Sequence, residues 1–296
     1  MAQTTANGIS IEYESFGDDS DEAMLLIMGL GTQLTGWPDA FCEGLARCGY
    51  RVIRFDNRDI GLSTHLENAR TPNIPMLAGL RMLRLSPPVP YTLDDMGEDA
   101  VGLLDALGIE RAHLVGASMG GMIAQLVAAR FPERTLSLTS IMSTTGNRAL
   151  PGASRQATRA LLMKPDDPLN SESVIARNVR VRAAVQSPAY QKSHAELYDA
   201  AARAFHRGGY KPAGVARQLA AAIVAGDRRR LLRGISVPSL VMHGEADPLV
   251  RLACGLDTAR HLPDSTLKVF PGMGHDFPEP LLETMVEEIH STATRA

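Results

Sequence analysis

The sequence predicts an α/β fold, a mostly parallel sheet covered on both faces by helices and interrupted by one inserted helical segment. Three observations predict it. Short apolar runs of the buried-strand kind recur along the chain, stretches of helical periodicity separate them, and from about residue 145 to 233 helical patterns follow one another with no strand between.

In order, "ISIEYESFG" (9–17) alternates as a half-exposed strand does, the acidic turn "DDSDE" follows, and "AMLLIMG" (23–29) is continuously apolar. The pair reads as an antiparallel hairpin at one edge of the sheet. "RVIRFD" (51–56), "RAHLVG" (111–116), "SLTSIM" (137–142), "SLVMHG" (239–244) and "LKVFPG" (267–272) are further strands, each stopped by Gly, Asp or a polar turn. The clearest helix covers 92–107. Thr92 and Asp95 have capping-box spacing, Met96, Ala100, Leu103, Leu104 and Leu107 form one apolar stripe, and Gly108 stands where a C-terminal cap would. The strandless stretch 145–233 reads as a helical cap set into a core of 1–144 and 234–296, with "GNRALPGAS" and "RGISVPS" as its hinges.

The chain has 296 residues, of which 45% are hydrophobic, enough for one sizeable core. Its 30 basic and 33 acidic residues form no long blocks and leave a net charge of -3, so no basic face points to nucleic acid or to an anionic membrane. No leader-like segment and no apolar run near the roughly 20 residues of a membrane span occur, and a soluble cytoplasmic protein is expected. Cys42, Cys48 and Cys254 are odd in number and lack paired metal-ligand spacing, against both a disulfide framework and a zinc site.

The chemistry is expected at "HLVGASMGG" (113–121), where an apolar strand runs into a serine flanked by glycines and then into the helical pattern "MGGMIAQLVAAR". A strand, a sharp turn and a helix are the context in which G-x-S-x-G forms a nucleophile elbow. Gly116 and Gly120 lack side chains that would collide across the turn, and Ser118 would stand at a helix N-terminus, beside the Met119 N–H. The alternative is a serine that merely caps the helix.

A serine hydroxyl needs a base, and the base needs an orienting carboxylate. Of eight histidines, only His275 follows a strand inside a glycine-rich turn, "FPGMGH"; His113 and His243 lie in apolar strands as core residues, and the others sit in polar settings. Asp247 in "VMHGEADPLV" lies just past a strand, where catalytic groups of open parallel sheets collect, with Glu245 and Asp276 as weaker candidates. The order Ser118, Asp247, His275 is the chain order of this architecture. "LIMGLGTQLTGWPDAF" supplies a second oxyanion donor, the Leu30 N–H, and Gly29 and Trp37 on the same segment are expected to line the substrate pocket. In the cap, Leu161, Leu162, Met163, Tyr190, Tyr198, Phe205 and Tyr210 are candidate lining, and an apolar cap suits a small to medium hydrophobic or aromatic ester.

With "GASMG", "MGLG", "FDNRDIGLST", "GEADP" and "PGMGH" in this order, the chain resembles the α/β-hydrolase family over nearly its whole length outside the cap. Through "GWPDAF", "VIRFDNRDIGLST" and "GMGH" it most resembles serine esterases of the aclacinomycin methylesterase type. The resemblance implies an eight-stranded, mostly parallel sheet, hydrolysis of a carboxylic ester, with a methyl ester as one candidate, through an acyl-enzyme on Ser118, and neither metal nor organic cofactor. Many relatives have His-Gly where this chain has Met28 and Gly29, and glycine where it has Asp59. The expected partner is a small-molecule ester, with no nucleic acid and no membrane, and a homodimer is left open. Alternatives are lactone hydrolysis or cofactor-free perhydrolase/haloperoxidase chemistry on the same residues, or a ligand-sensing receptor of the same fold.

Overall fold

The computed structural model describes residues 1–83, 85 and 87–296. Its strands are β1 (Ala2–Ala6), β2 (Ile9–Phe16), β3 (Glu22–Ile27), β4 (Tyr50–Phe55), β5 (Ala112–Ala117), β6 (Thr135–Ile141), β7 (Ser239–Gly244) and β8 (Ser265–Phe270). They form one sheet in the order β1-β2-β4-β3-β5-β6-β7-β8, parallel except at β1/β2 and β2/β4. The helices are α1 (Asp39–Arg47), α2 (Ile74–Met82), α3 (Leu93–Ala106), α4 (Met119–Arg130), α5 (Arg155–Leu162), α6 (Ser171–Val185), α7 (His194–Gly208), α8 (Pro212–Val224), α9 (Arg229–Leu232), α10 (Leu252–His261) and α11 (Leu282–Ala293).

The hairpin expected from 9–17 and 23–29 does not form. β2 pairs with β1 and β4, while β3 lies between β4 and β5. Two physical reasons account for the correction. Asn7 (φ 47°) and Gly8 (φ 75°) supply the pair of positive φ values that a tight hairpin turn needs, so β2 closes on the N-terminal strand. In β3, Met24, Leu25, Leu26 and Ile27 are all fully buried, which suits a strand covered on both faces near the middle of a sheet.

The period of two along β3 divides the core. Leu25 and Ile27 join Met96, Leu103 and Leu104 of α3 and Ile123 and Val127 of α4 on one face. Met24 and Leu26 join Phe41 and Leu45 of α1 and Met285 and Ile289 of α11 on the other. The α3 ends are as expected: the Thr92 side chain accepts from the Asp95 N–H, the Asp95 carboxylate accepts from the Thr92 N–H, and Gly108 follows at φ 69°.

Helices α5 to α9 lie between β6 and β7. Ile175 and Val179 of α6 pack on Leu197 and Ala201 of α7, whereas Ala221 of α8 and Leu232 of α9 join the main core. The ends of the stretch are laced together, with the Arg228 N–H donating to the Thr145 carbonyl at 2.8 Å and the Arg228 side chain buried on the Thr144 and Gly226 carbonyls. Burial lowers the Arg228 pKa to about 10. Asp59, where the resemblance expects glycine, has φ 70°, a conformation glycine adopts freely. Its carboxylate is buried against the Arg217 guanidinium in a two-pronged contact at 2.6 and 2.7 Å. Among the described residues no helix is long and apolar enough to cross a membrane, and all three cysteines are free thiols, Cys42 pushed up to about 12 by burial.

His113 and His243 are both fully buried in the sheet. His113 bonds Ser137 Oγ at 2.8 Å and Glu22 at 2.9 Å; His243 Nε2 donates to the Val250 carbonyl at 2.7 Å, and its Nδ1 has no partner among the described residues. Burial lowers the pKa of each ring. Such a histidine takes its proton more readily in the unfolded chain, so its stabilising contribution is complete above about pH 6.5 and is lost as the pH falls, by up to about 1.4 kcal/mol per pH unit for each ring. Thermal melts are expected to show Tm falling on acidification from about pH 7 to about pH 5, and His113→Gln to flatten that fall. A wild-type Tm that does not change over this range would contradict neutral burial.

Candidate active site

β5 ends at Ala117 and α4 begins at Met119, so Ser118 carries the whole change of direction. Its backbone lies at φ 57° and ψ -119°, a region that costs a residue with a side chain about 1–3 kcal/mol. The approach that enforces it is close. A Cβ on Gly120 would run into the Ile27 carbonyl at the end of β3, one on Gly116 into the Gly120 carbonyl, and one on Gly121 would lie 2.6 Å from Ser143 Cβ. Main-chain bonds complete the turn: the Ser118 N–H donates to the Ile141 carbonyl at 2.9 Å, and the Ser118 carbonyl accepts from the Gly121 N–H at 3.0 Å and Ser143 Oγ at 2.7 Å. The helix-capping alternative fails here, because the Ser118 side chain caps no N–H of α4 and its φ is not the extended value of an N-cap.

The loop after β3 comes to the same point. A Cβ on Gly29 would be 3.0 Å from Ser118 Cβ and 3.5 Å from its Oγ, so a side chain at 29 would crowd the hydroxyl. Among the described residues neither the Leu30 N–H nor the Met119 N–H has an acceptor. The Met119 N–H belongs to the first turn of α4, whose leading N–H groups have no partner within the helix.

Asp247 and His275 are joined. Asp247 is 1% exposed; one carboxylate oxygen accepts from the Leu249 and Val250 N–H groups at 2.8 Å each, and the other is 2.6 Å from His275 Nδ1. A carboxylate only accepts, so the proton of the neutral ring sits on Nδ1 and Nε2 keeps its lone pair. The alternative acids are placed elsewhere. Glu245 is exposed, and Asp276 is held by the Ser187 hydroxyl and N–H, with burial raising its pKa. Ser118, Asp247 and His275 follow the carboxyl ends of β5, β7 and β8, at one edge of the sheet. Among the described residues no hydrogen bond joins Ser118 Oγ to the His275 ring.

The turn carrying His275 is gripped by residues that carried no signal in the sequence. The His275 N–H donates to the Val185 carbonyl at 2.8 Å, the Gly274 N–H to Ser187 Oγ at 2.8 Å, and the Ala189 N–H to the Gly272 carbonyl at 3.2 Å. A main-chain acceptor and a lone serine nearly ninety positions away have no local pattern that would announce them.

The expected pocket residues are placed unevenly. Trp37 is fully buried between Phe41 and Phe277, at ring distances of 5.5 and 5.0 Å, and offers no open face because these aromatic contacts enclose it. Tyr198 reaches outward, its hydroxyl donating to Glu172 at 3.0 Å across the α6–α7 pair. Leu162 is 66% exposed. Tyr190 is half-buried on the 186–190 segment that pins the His275 turn. Between α5 and α6 a cavity of about 300 Å³ has an apolar floor at Ala160, Met163 and Ala184, but arginines 155, 159 and 180 also line it, so this part of the helical segment is more cationic than expected.

Comparison with known proteins fits this geometry. A family model described as the alpha/beta hydrolase fold matches residues 22–279. Over 138 residues the chain is 36% identical to rhodomycin D methylesterase DauP of Streptomyces sp. (strain C5), a match covering 47% of this chain and only 40% of that relative. It is 28% identical over 265 residues to 3-oxoadipate enol-lactonase 2 of Acinetobacter baylyi, covering 90% of this chain and 86% of the other. The solved meta-cleavage product hydrolase of Pseudomonas fluorescens superposes with a TM-score of 0.78 at 18% identity, over 99% of this chain and 97% of that one, a likeness of fold.

Ser187→Ala is expected to leave the Gly274 N–H without its partner and Asp276 with one bond fewer, a loss of about 1–3 kcal/mol. Urea unfolding reads it as a lower midpoint at unchanged slope; an unchanged midpoint would mean that Ser187 does not hold the turn.

Proposed function

The chain belongs to the α/β-hydrolase family, and within that family we propose that it hydrolyses carboxylic esters through an acyl-enzyme formed on Ser118. The observation that carries the proposal is the 2.6 Å bond between His275 Nδ1 and the buried Asp247 carboxylate, at the sheet edge where Ser118 holds its strained turn.

His275 Nε2 takes the Ser118 proton as Oγ attacks the ester carbonyl, the hydrogen bond between them forming in the substrate complex. Asp247 keeps the ring in the required tautomer and stabilises the imidazolium that forms. The carbonyl oxygen becomes an oxyanion stabilised by the Leu30 and Met119 N–H groups. Collapse expels the alcohol with the proton from the imidazolium. Water, deprotonated by the same nitrogen, then attacks the acyl carbonyl, and collapse breaks the bond to Ser118 Oγ, which takes the proton back from the imidazolium as the acid leaves. The likeness to a methylesterase supports an ester as substrate, and the likeness to an enol-lactonase favours a second reading, opening of a lactone by the same steps.

Turnover of a p-nitrophenyl ester tests the proposal. Ser118→Ala is expected to abolish it together with labelling by a fluorophosphonate, and Asp247→Asn to lower kcat by about 10⁴-fold with the fold intact. Undiminished labelling of the Ser118→Ala protein would refute the assignment. A lactone opened faster than any ester would favour the second reading.

A further inference from the structure

Gln218 lies in α8, far in sequence from the elbow, and is fully buried. Its Oε1 accepts from the Gly31 N–H at 2.9 Å and its Nε2 donates to the Arg58 carbonyl at 2.7 Å. The two partners fix the orientation of the amide, since a main-chain N–H can only donate and a carbonyl only accept. Gly31 has φ +63°, and a Cβ there would be 3.1 and 3.3 Å from the Val215 methyls, so the turn lies flat against α8. On the other side of Leu30, Gly29 lies against Ser118. The Leu30 peptide is thus clamped between the nucleophile and the helix.

Resting on the reading of Leu30 as an oxyanion donor, we propose that Gln218 is a positioning residue for the oxyanion loop, fixing Gly31 so that the Leu30 N–H keeps its aim at the carbonyl oxygen of the substrate. Gln218 does not touch substrate. An oxyanion donor acts only within a narrow range of distance and direction, and its contribution grows as charge develops on the oxygen. Loosening the loop therefore raises the barrier of the chemical step and leaves ground-state binding nearly unchanged. The neighbouring contacts of α8 keep the helix itself in place: Gly214 packs against the Asp59 backbone, and Arg217 holds the Asp59 carboxylate.

The test compares wild-type protein with Gln218→Met, which keeps the length of the side chain and removes both bonds. The expected result is kcat for a p-nitrophenyl ester lowered about 10- to 100-fold with KM within about two-fold, and affinity for an arylboronic acid, which presents a tetrahedral anion on the serine, weakened by a similar factor. The pH dependence of kcat should keep its midpoint, because Asp247 and His275 are untouched. A folded variant with kcat and boronate affinity equal to wild type overturns the inference while leaving the hydrolase reading intact. A wild-type protein that neither turns over esters nor binds the boronate removes both. Amide exchange at Gly31 of the wild-type protein reads the same bond without any substitution: slow exchange supports the clamp, and exchange at the rate of an open loop overturns it.

Discussion

The site depends on the close approach of three backbones under Ser118. The end of β3 passes beneath Gly120, the start of the 143–146 loop lies against Gly121, and the 29–31 turn touches Ser118 itself. A single methyl group at 120 would meet the Ile27 and Met28 carbonyls and push α4 off the end of β3. The conformational strain at Ser118, about 1–3 kcal/mol, is small beside a two-faced core, which is why it persists. Its return is a hydroxyl that caps no N–H of its own helix.

The helices between β6 and β7 hold this arrangement from above. Val185 and Ser187 fix the turn of His275, Gln218 fixes Gly31, and three arginines tie the rest: half-buried Arg207 to Asp56 and Gln33, and buried Arg217 to Asp59 and Arg228 to the 144–146 loop. A buried pair such as Arg217–Asp59 adds little net stability over apolar packing, but removing one partner strands a charge at about 3–5 kcal/mol, so it selects one placement of α8 over others. The Arg207–Asp56 contact also meets Asp56 where it accepts the Leu34 and Leu62 N–H groups, linking α7 to the loops after β3 and β4.

Much of this was legible in the residues. The parallel strands announced themselves as continuous apolar runs, α3 by its cap and stripe, and the elbow by glycines whose absent side chains proved necessary. Strand neighbours are less legible, because β2 and β3 are adjacent in sequence but not in the sheet, while the Asn7-Gly8 turn carries the signal for β1 with β2. Trp37 is hard to place from sequence, since an aromatic ring reads alike in a core and on a pocket wall; its neighbours Phe41 and Phe277 enclose it. Val185, Ser187 and Gln218 carry no local signal because they act through isolated hydrogen bonds across more than 85 positions. Position 59 shows the opposite case: an aspartate where glycine is expected became intelligible once its φ of 70° and its Arg217 partner were known.

The most direct measurement is a crystal structure of the protein inactivated by a p-nitrophenyl phosphonate, whose tetrahedral phosphorus mimics the attacked carbonyl. The account predicts phosphorus bonded to Ser118 Oγ, one phosphoryl oxygen about 2.7–3.1 Å from the Leu30 and Met119 nitrogens, and His275 Nε2 within hydrogen-bond reach of the serine oxygen. Phosphorus on any other residue, or a phosphoryl oxygen turned away from both nitrogens, would contradict it.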